Sequence, residues 1–142
     1  MPSVLALDLE GTLISNAVSQ IPRPGLFSFL EEASRLFPRI VIFTAVREAT
    51  FRSVAQGLVD SGDAPAWFAD LEYVNWHGTA KDLRFIKDAC IEDIVLVDDF
   101  EGYVMAEQKQ HWIAIKSYEN PYGTDDRELL LTLEELRVLW QN

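Results

Sequence analysis

The sequence is short of cysteine and of positive charge, and it contains no long apolar run. Cys90 is the single cysteine, so an intrachain disulfide cannot form and no cysteine cluster can hold zinc. A reducing setting is expected, with Cys90 acting as a small buried hydrophobe. Lysine and arginine total 12 against 23 aspartates and glutamates, a formal charge of −11. Such an excess argues against a broad footprint on nucleic-acid phosphates or on an anionic membrane surface. Phosphate binding, if any, must be local, relying on a metal ion or a few cations and backbone N–H groups. No stretch approaches the length needed to span a bilayer. The first residues offer no basic segment followed by a long apolar one, because Asp8 and Glu10 interrupt it. The expectation is a soluble cytoplasmic protein with no nucleic-acid or membrane partner.

Repeats, low-complexity tracts and Ser/Gly-rich linkers are also missing. What is present is one domain's length, 142 residues of which 49% are hydrophobic, so a single domain over residues 1–142 is expected. Strand-like and helix-like patterns alternate along it, which predicts an α/β fold with a parallel sheet flanked by helices. Strands are expected at Ser3 to Leu9, Arg39 to Phe43, Leu71 to Trp76, Ile94 to Val97 and His111 to Ile115. Leu26, Phe27, Phe29, Leu30, Ala33 and Leu36 recur at helical spacing before Pro38. A second helix is expected from about Arg47 to Val59. A third should start near Thr79 and Asp82, carrying Lys81 in its first turn and Leu83, Phe85, Ile86 and Ala89 on its buried side. A last helix would be capped by Asp125, with Leu129, Leu130, Leu133, Leu136, Leu139 and Trp140 facing the core.

Three of the apolar strands end in polar residues: Asp8 to Thr12, Thr44, and Asp98 with Asp99. Ligands of open α/β sheets collect beyond the carboxyl ends of strands, where the winding reverses. If the first, second and fourth strands are neighbours, these groups meet. Several carboxylates, a hydroxyl and Lys81 are then suited to hold magnesium and a phosphoryl group.

The order of the motifs resembles that of haloacid dehalogenase-like phosphatases. Leu7-Asp8-Leu9-Glu10-Gly11-Thr12-Leu13 is similar to their first motif, Ile42-Phe43-Thr44-Ala45 to the second, Lys81-Asp82-Leu83 to the third and Val95-Leu96-Val97-Asp98-Asp99 to the fourth. With Arg23-Pro24-Gly25 and the leucine-rich acidic tail, the chain resembles the branch of NLI-interacting-factor-like or polymerase C-terminal-domain phosphatases. The resemblance implies a Rossmann-like three-layer α/β/α sandwich with a parallel sheet of about five strands and no large cap. It also implies magnesium-dependent hydrolysis of a phosphomonoester through an aspartyl-phosphate. Asp8 would be the nucleophile and Glu10 the acid and base. Thr44, Ala45 and Lys81 would bind the phosphate, and Thr12 would brace the turn. Asp8, Asp98, Asp99 and the carbonyl of Glu10 would serve the metal, with Asp98 holding either Lys81 or a metal-bound water.

Glu10 stands where the family commonly has Asp, one methylene longer, which changes the reach of the acid and base group. Enolase-phosphatases carry a similar Asp-x-Glu-Gly-Thr turn and are active, so the resemblance supports a working group. The short spacings from Asp8 to Thr44 and from Thr44 to Lys81 leave little room for a lid. An open site favours a phosphorylated protein, with a small phosphate ester as the other substrate class. The alternatives are a catalytically impaired binding module of the same fold and a phosphotransferase that passes phosphate to another alcohol. Trp76 and His77 are expected to pack near the mouth of the site.

Overall fold

A computed structural model describes residues 2–140; residues 1, 141 and 142 of the expected 1–142 domain lie outside the described residues. The described residues form five parallel strands: β1 (Val4–Leu7), β2 (Arg39–Ile42), β3 (Glu72–Tyr73), β4 (Ile94–Asp98) and β5 (Trp112–Ala114). Their order is β3-β2-β1-β4-β5. The winding therefore runs outward from β1 to β3, then returns to start again at β4 on the other side of β1. Val4 to Leu7 pair with Arg39 to Ile42 on one flank and with Ile94 to Val97 on the other.

Side chains of a strand alternate between faces, and β1 divides its four buried residues accordingly. Leu5 and Leu7 join a core packed by α1 (Leu26–Leu36), α2 (Glu48–Asp60) and α3 (Glu128–Val138), with Phe29, Phe51, Val54, Leu129 and Leu136 at its centre. Val4 and Ala6 face a second core with Val41, Phe43, Ile94 and Leu96. Its cover is irregular: Val74, Leu83, Ile86 and Val104 come from segments whose only helical pieces are short 3-10 turns such as Leu83–Phe85 and Glu101–Tyr103. The α/β fold with a parallel sheet is thus present, with no large cap among the described residues. No helix among the described residues is long and apolar enough to cross a membrane.

Several local expectations are corrected. The helix expected from Thr79 to Ala89 is a single 3-10 turn, because its backbone N–H groups find partners outside a helix. Lys81 N–H donates to the Tyr103 carbonyl, Leu83 N–H to Gln108 Oε1 and Arg84 N–H to Asp82 Oδ1. Cys90, expected buried, is exposed as a result. The last helix starts against Asp126, whose Oδ1 accepts the Glu128 N–H at 3.2 Å, and not against Asp125. Leu130 and Phe27, expected in the core, are exposed.

Candidate active site

The alternation that sorts β1 and β4 into two faces also sets the site. Asp8 continues the side of Val4 and Ala6, and Asp98 continues the side of Ile94 and Leu96. Asp8 N–H donates to the Val97 carbonyl at 3.0 Å, so the two carboxylates end up side by side at the carboxyl edge. That is also where the winding reverses. The irregular cover of the same face brings Lys81 to them. Its Nζ lies 2.9 Å from Asp8 Oδ1 and 2.6 Å from Asp98 Oδ2, with all three residues buried. The Tyr103 ring lies 4.8 Å from the ammonium and steadies it.

The second oxygen of Asp8 is also held. Thr12 Oγ1, fully buried, is 2.9 Å from Asp8 Oδ2 and 3.3 Å from Asp99 Oδ1, and its single proton serves the nearer carboxylate better. Gly11 makes this turn possible. It has φ +76, and a Cβ there would sit 2.3 Å from Asp99 Oδ2 and 3.0 Å from Ser117 Oγ. Asp99 therefore lies against the Gly11 backbone, with the Ser117 hydroxyl beside it.

Burial pushes the Asp8 carboxyl well above its ordinary range, and the Lys81 ammonium only partly opposes this. Asp98 is raised for the same leading reason. Burial disfavours the Lys81 cation as well, but Asp8 and Asp98 together outweigh it and hold the amine protonated. One oxygen from each of Asp8, Asp98 and Asp99 lies within 4.8 Å of the others. Three carboxylates against one ammonium leave a deficit of positive charge, and an all-oxygen donor set of this kind fits a hard divalent cation.

The remaining expected site residues have partners of their own. Thr44 is buried at the end of β2, where its Oγ1 accepts the Val46 N–H at 3.1 Å, and Ala45 beside it is exposed. Trp76 Nε1 donates to the Thr44 carbonyl at 2.8 Å, fastening that corner, while the His77 ring packs on Phe85. Glu10 is on the exposed rim, and its Oε2 accepts the Ala17 N–H at 2.7 Å, so its carboxylate stands outside the three-carboxylate cluster. Ser117, Tyr103 and the side chain of Arg23 were not signalled as site residues by the sequence. Their roles depend on contacts with partners far away in the chain, and a single sequence does not display such pairs.

An all-parallel α/β sheet in the order β3-β2-β1-β4-β5, with a lysine and three aspartates at its switch point, has the fold and site expected of a haloacid dehalogenase-like protein. Residues 3–141 match the family model for NLI interacting factor-like phosphatase, and the chain belongs to that family. A search of curated proteins found no match. Among solved structures, a variant of the RNA polymerase II CTD phosphatase Fcp1 from fission yeast, bound to beryllium fluoride, is similar with a TM-score of 0.61. The identity is 18% over 97% of this chain, a likeness of fold, and this chain covers 50% of that one.

Proposed function

We propose that the chain is a magnesium-dependent phosphatase that hydrolyses a phosphomonoester through a phosphorylated Asp8. The observation that carries this reading is the double grip on the Asp8 carboxylate, Lys81 on one oxygen and Thr12 on the other, within reach of Asp98 and Asp99. A carboxylate fixed in this way enters an in-line displacement with little reorganisation. Asp8 oxygen bonds to phosphorus as the bond to the leaving oxygen breaks, and Glu10 gives that oxygen a proton. Water then attacks phosphorus, Glu10 takes its proton, and the bond to Asp8 breaks to release phosphate. For this Glu10 turns away from the Ala17 N–H, a movement its place on the exposed rim permits.

Thr44, the N–H of Ala45 and Lys81 would hold the phosphate oxygens. Asp8, Asp99 and the Glu10 carbonyl would hold magnesium, with Asp98 beside them keeping Lys81 in place. The ion supplies positive charge to a site that has too little of its own. We favour a phosphorylated protein as the substrate, since the rim carries no large cap and the similar fission yeast protein is named a phosphatase of the polymerase CTD. A small phosphate ester is the other outcome of a screen.

The test is hydrolysis of an aryl phosphate with and without magnesium, wild type beside Asp8→Asn. Activity that needs magnesium and falls at least about a thousandfold in the variant supports the reading. A folded, metal-loaded wild type without activity would point to a binding module. Phosphate appearing on an added alcohol would point to a phosphotransferase. Turnover of phosphopeptides against phosphorylated metabolites then decides the substrate class.

A further inference from the structure

Arg23 precedes α1 between two prolines, and its side chain is fully buried. A guanidinium has five N–H donors in a fixed plane, and here five hydrogen bonds use them. Nη1 donates to the carbonyls of Gly11 at 3.0 Å and Thr12 at 3.2 Å. Nη2 donates to the Lys116 carbonyl at 2.6 Å and to Asp126 Oδ2 at 3.1 Å, and Nε to Asp126 Oδ1 at 2.9 Å. The Tyr118 ring lies 5.2 Å from the guanidinium carbon. With its donors spoken for, this arginine is not one that waits for a phosphate.

Its acceptors show what it connects. On one side is the turn after Asp8, whose Thr12 hydroxyl grips Asp8 and whose Gly11 backbone supports Asp99. On the other is the chain leaving β5, from Lys116 to Asp126, which brings Ser117 against Gly11 and sends the Tyr118 N–H to the Gly11 carbonyl at 2.8 Å. Both pieces are loops, which position side chains less firmly than strands or helices do. A merely structural link could be built from apolar residues, since burying an ion pair carries a desolvation penalty. Carbonyls of a catalytic turn, by contrast, need donors.

We propose that Arg23 is a positioning residue for the phosphatase reaction. It fastens the Gly11–Thr12 turn to the segment after β5, and so fixes the angle at which Thr12 and Asp99 meet Asp8. The proposal rests on the reading of Asp8 as nucleophile, and Asp8→Asn assayed alongside tests that reading separately.

Arg23→Lys keeps the charge but has three donors without the planar fork. It is expected to lower kcat on an aryl phosphate roughly tenfold or more, with KM changed less than about threefold, because a turn shifted by a fraction of an ångström impairs the attack more than ground-state binding. Asp126→Asn keeps the two bonds to the turn and is expected to lose kcat by only a few-fold. The control is Leu58→Ala, on the buried side of α2 in the core of the helical face. Assayed well below its melting temperature, it should lose as much thermal stability as Arg23→Lys and keep its kcat. If Arg23→Lys fails to fold, Asp126→Asn decides. Full kcat in whichever variant decides, or a loss matched by Leu58→Ala, overturns the proposal. If instead Asp8→Asn stays active, the nucleophile reading falls, whatever Arg23 does.

Discussion

The two faces of the sheet are built on opposite plans. One is covered by α1, α2 and α3 over a core made mostly of apolar side chains. The other is covered by loops and 3-10 turns, and at its carboxyl edge it buries Lys81, Asp8 and Asp98. Burying apolar surface drives folding, whereas burying charge opposes it unless every group is paired. The first face therefore supplies stability and the second is where stability is given up to keep a charged cluster buried and fixed. Irregular backbone serves that purpose better than a helix, because its N–H groups are free to bind remote partners that steer one lysine into place.

Replacing a large residue on each face should break this contrast most sharply. Lys81→Met leaves two buried carboxylates without their cation, at a cost of about 3–5 kcal/mol. Phe51→Ala, in the helical core, carries a similar cost of about 3–5 kcal/mol through the cavity it opens. Urea denaturation measures both. The turnover of the folded fraction should separate them, with Lys81→Met losing aryl phosphate hydrolysis on the order of a thousandfold and Phe51→Ala staying within a few-fold of wild type. Equal turnover in the two variants would mean that the polar face has no special part in the chemistry.

A smaller effect of opposite sign is expected for Asp8→Asn. Burial raises the Asp8 pKa in the folded, metal-free protein above its unfolded value, so the folded state binds a proton more readily than the unfolded chain. The carboxylate then weighs on stability at neutral pH, and the weight is lifted as pH falls through the raised folded value toward the unfolded one. Asp8→Asn mimics the protonated form. At neutral pH it should be more stable than wild type while inactive. The difference should shrink on acidification, as measured by denaturation of metal-free protein across pH. A variant less stable than wild type at neutral pH would show that the Lys81 ion pair outweighs the burial of Asp8.

The helical face was also the more legible one. Apolar spacing and Pro38 marked α1, and the abrupt ends of β1 and β4 at Asp8 and Asp98 marked the two carboxylates that the structure brings together in the candidate site, because a buried strand that stops at a polar residue leaves a visible discontinuity. The cover of the polar face misled. Leu83, Phe85, Ile86 and Ala89 have helical spacing, yet their segment is held by Tyr103 and Gln108, and periodicity does not register bonds to acceptors elsewhere in the chain. The Arg23–Asp126 pair spans most of the chain, and the bond of Glu10 to Ala17 N–H depends on a loop conformation. Neither leaves a mark on local pattern.

Asp82, next to Lys81, gives the finest test of how the irregular face is held. Its side chain accepts the Arg84 N–H at 2.9 Å and a bond from Gln108 Nε2 at 3.0 Å, and Gln108 in turn accepts the Leu83 N–H. The Arg84 side chain beside it holds the Asp82 carboxyl far below the ordinary carboxylate range, against the opposing pull of partial burial. A lowered folded pKa means stability that is present above the unfolded value and lost as pH falls through the folded one. Much of the Arg84 attraction is screened by solvent, so Asp82→Ala should cost only about 0.5–1 kcal/mol near neutrality, the size of a lost cap. Its more telling effect lies in the neighbour. With the turn loosened, Lys81 is less firmly aimed at Asp8, and kcat should fall about two- to fivefold with little change in KM. Steady-state kinetics on an aryl phosphate beside urea denaturation reads both. A stability loss with kcat unchanged would show that Tyr103 and Asp98 alone suffice to aim the lysine.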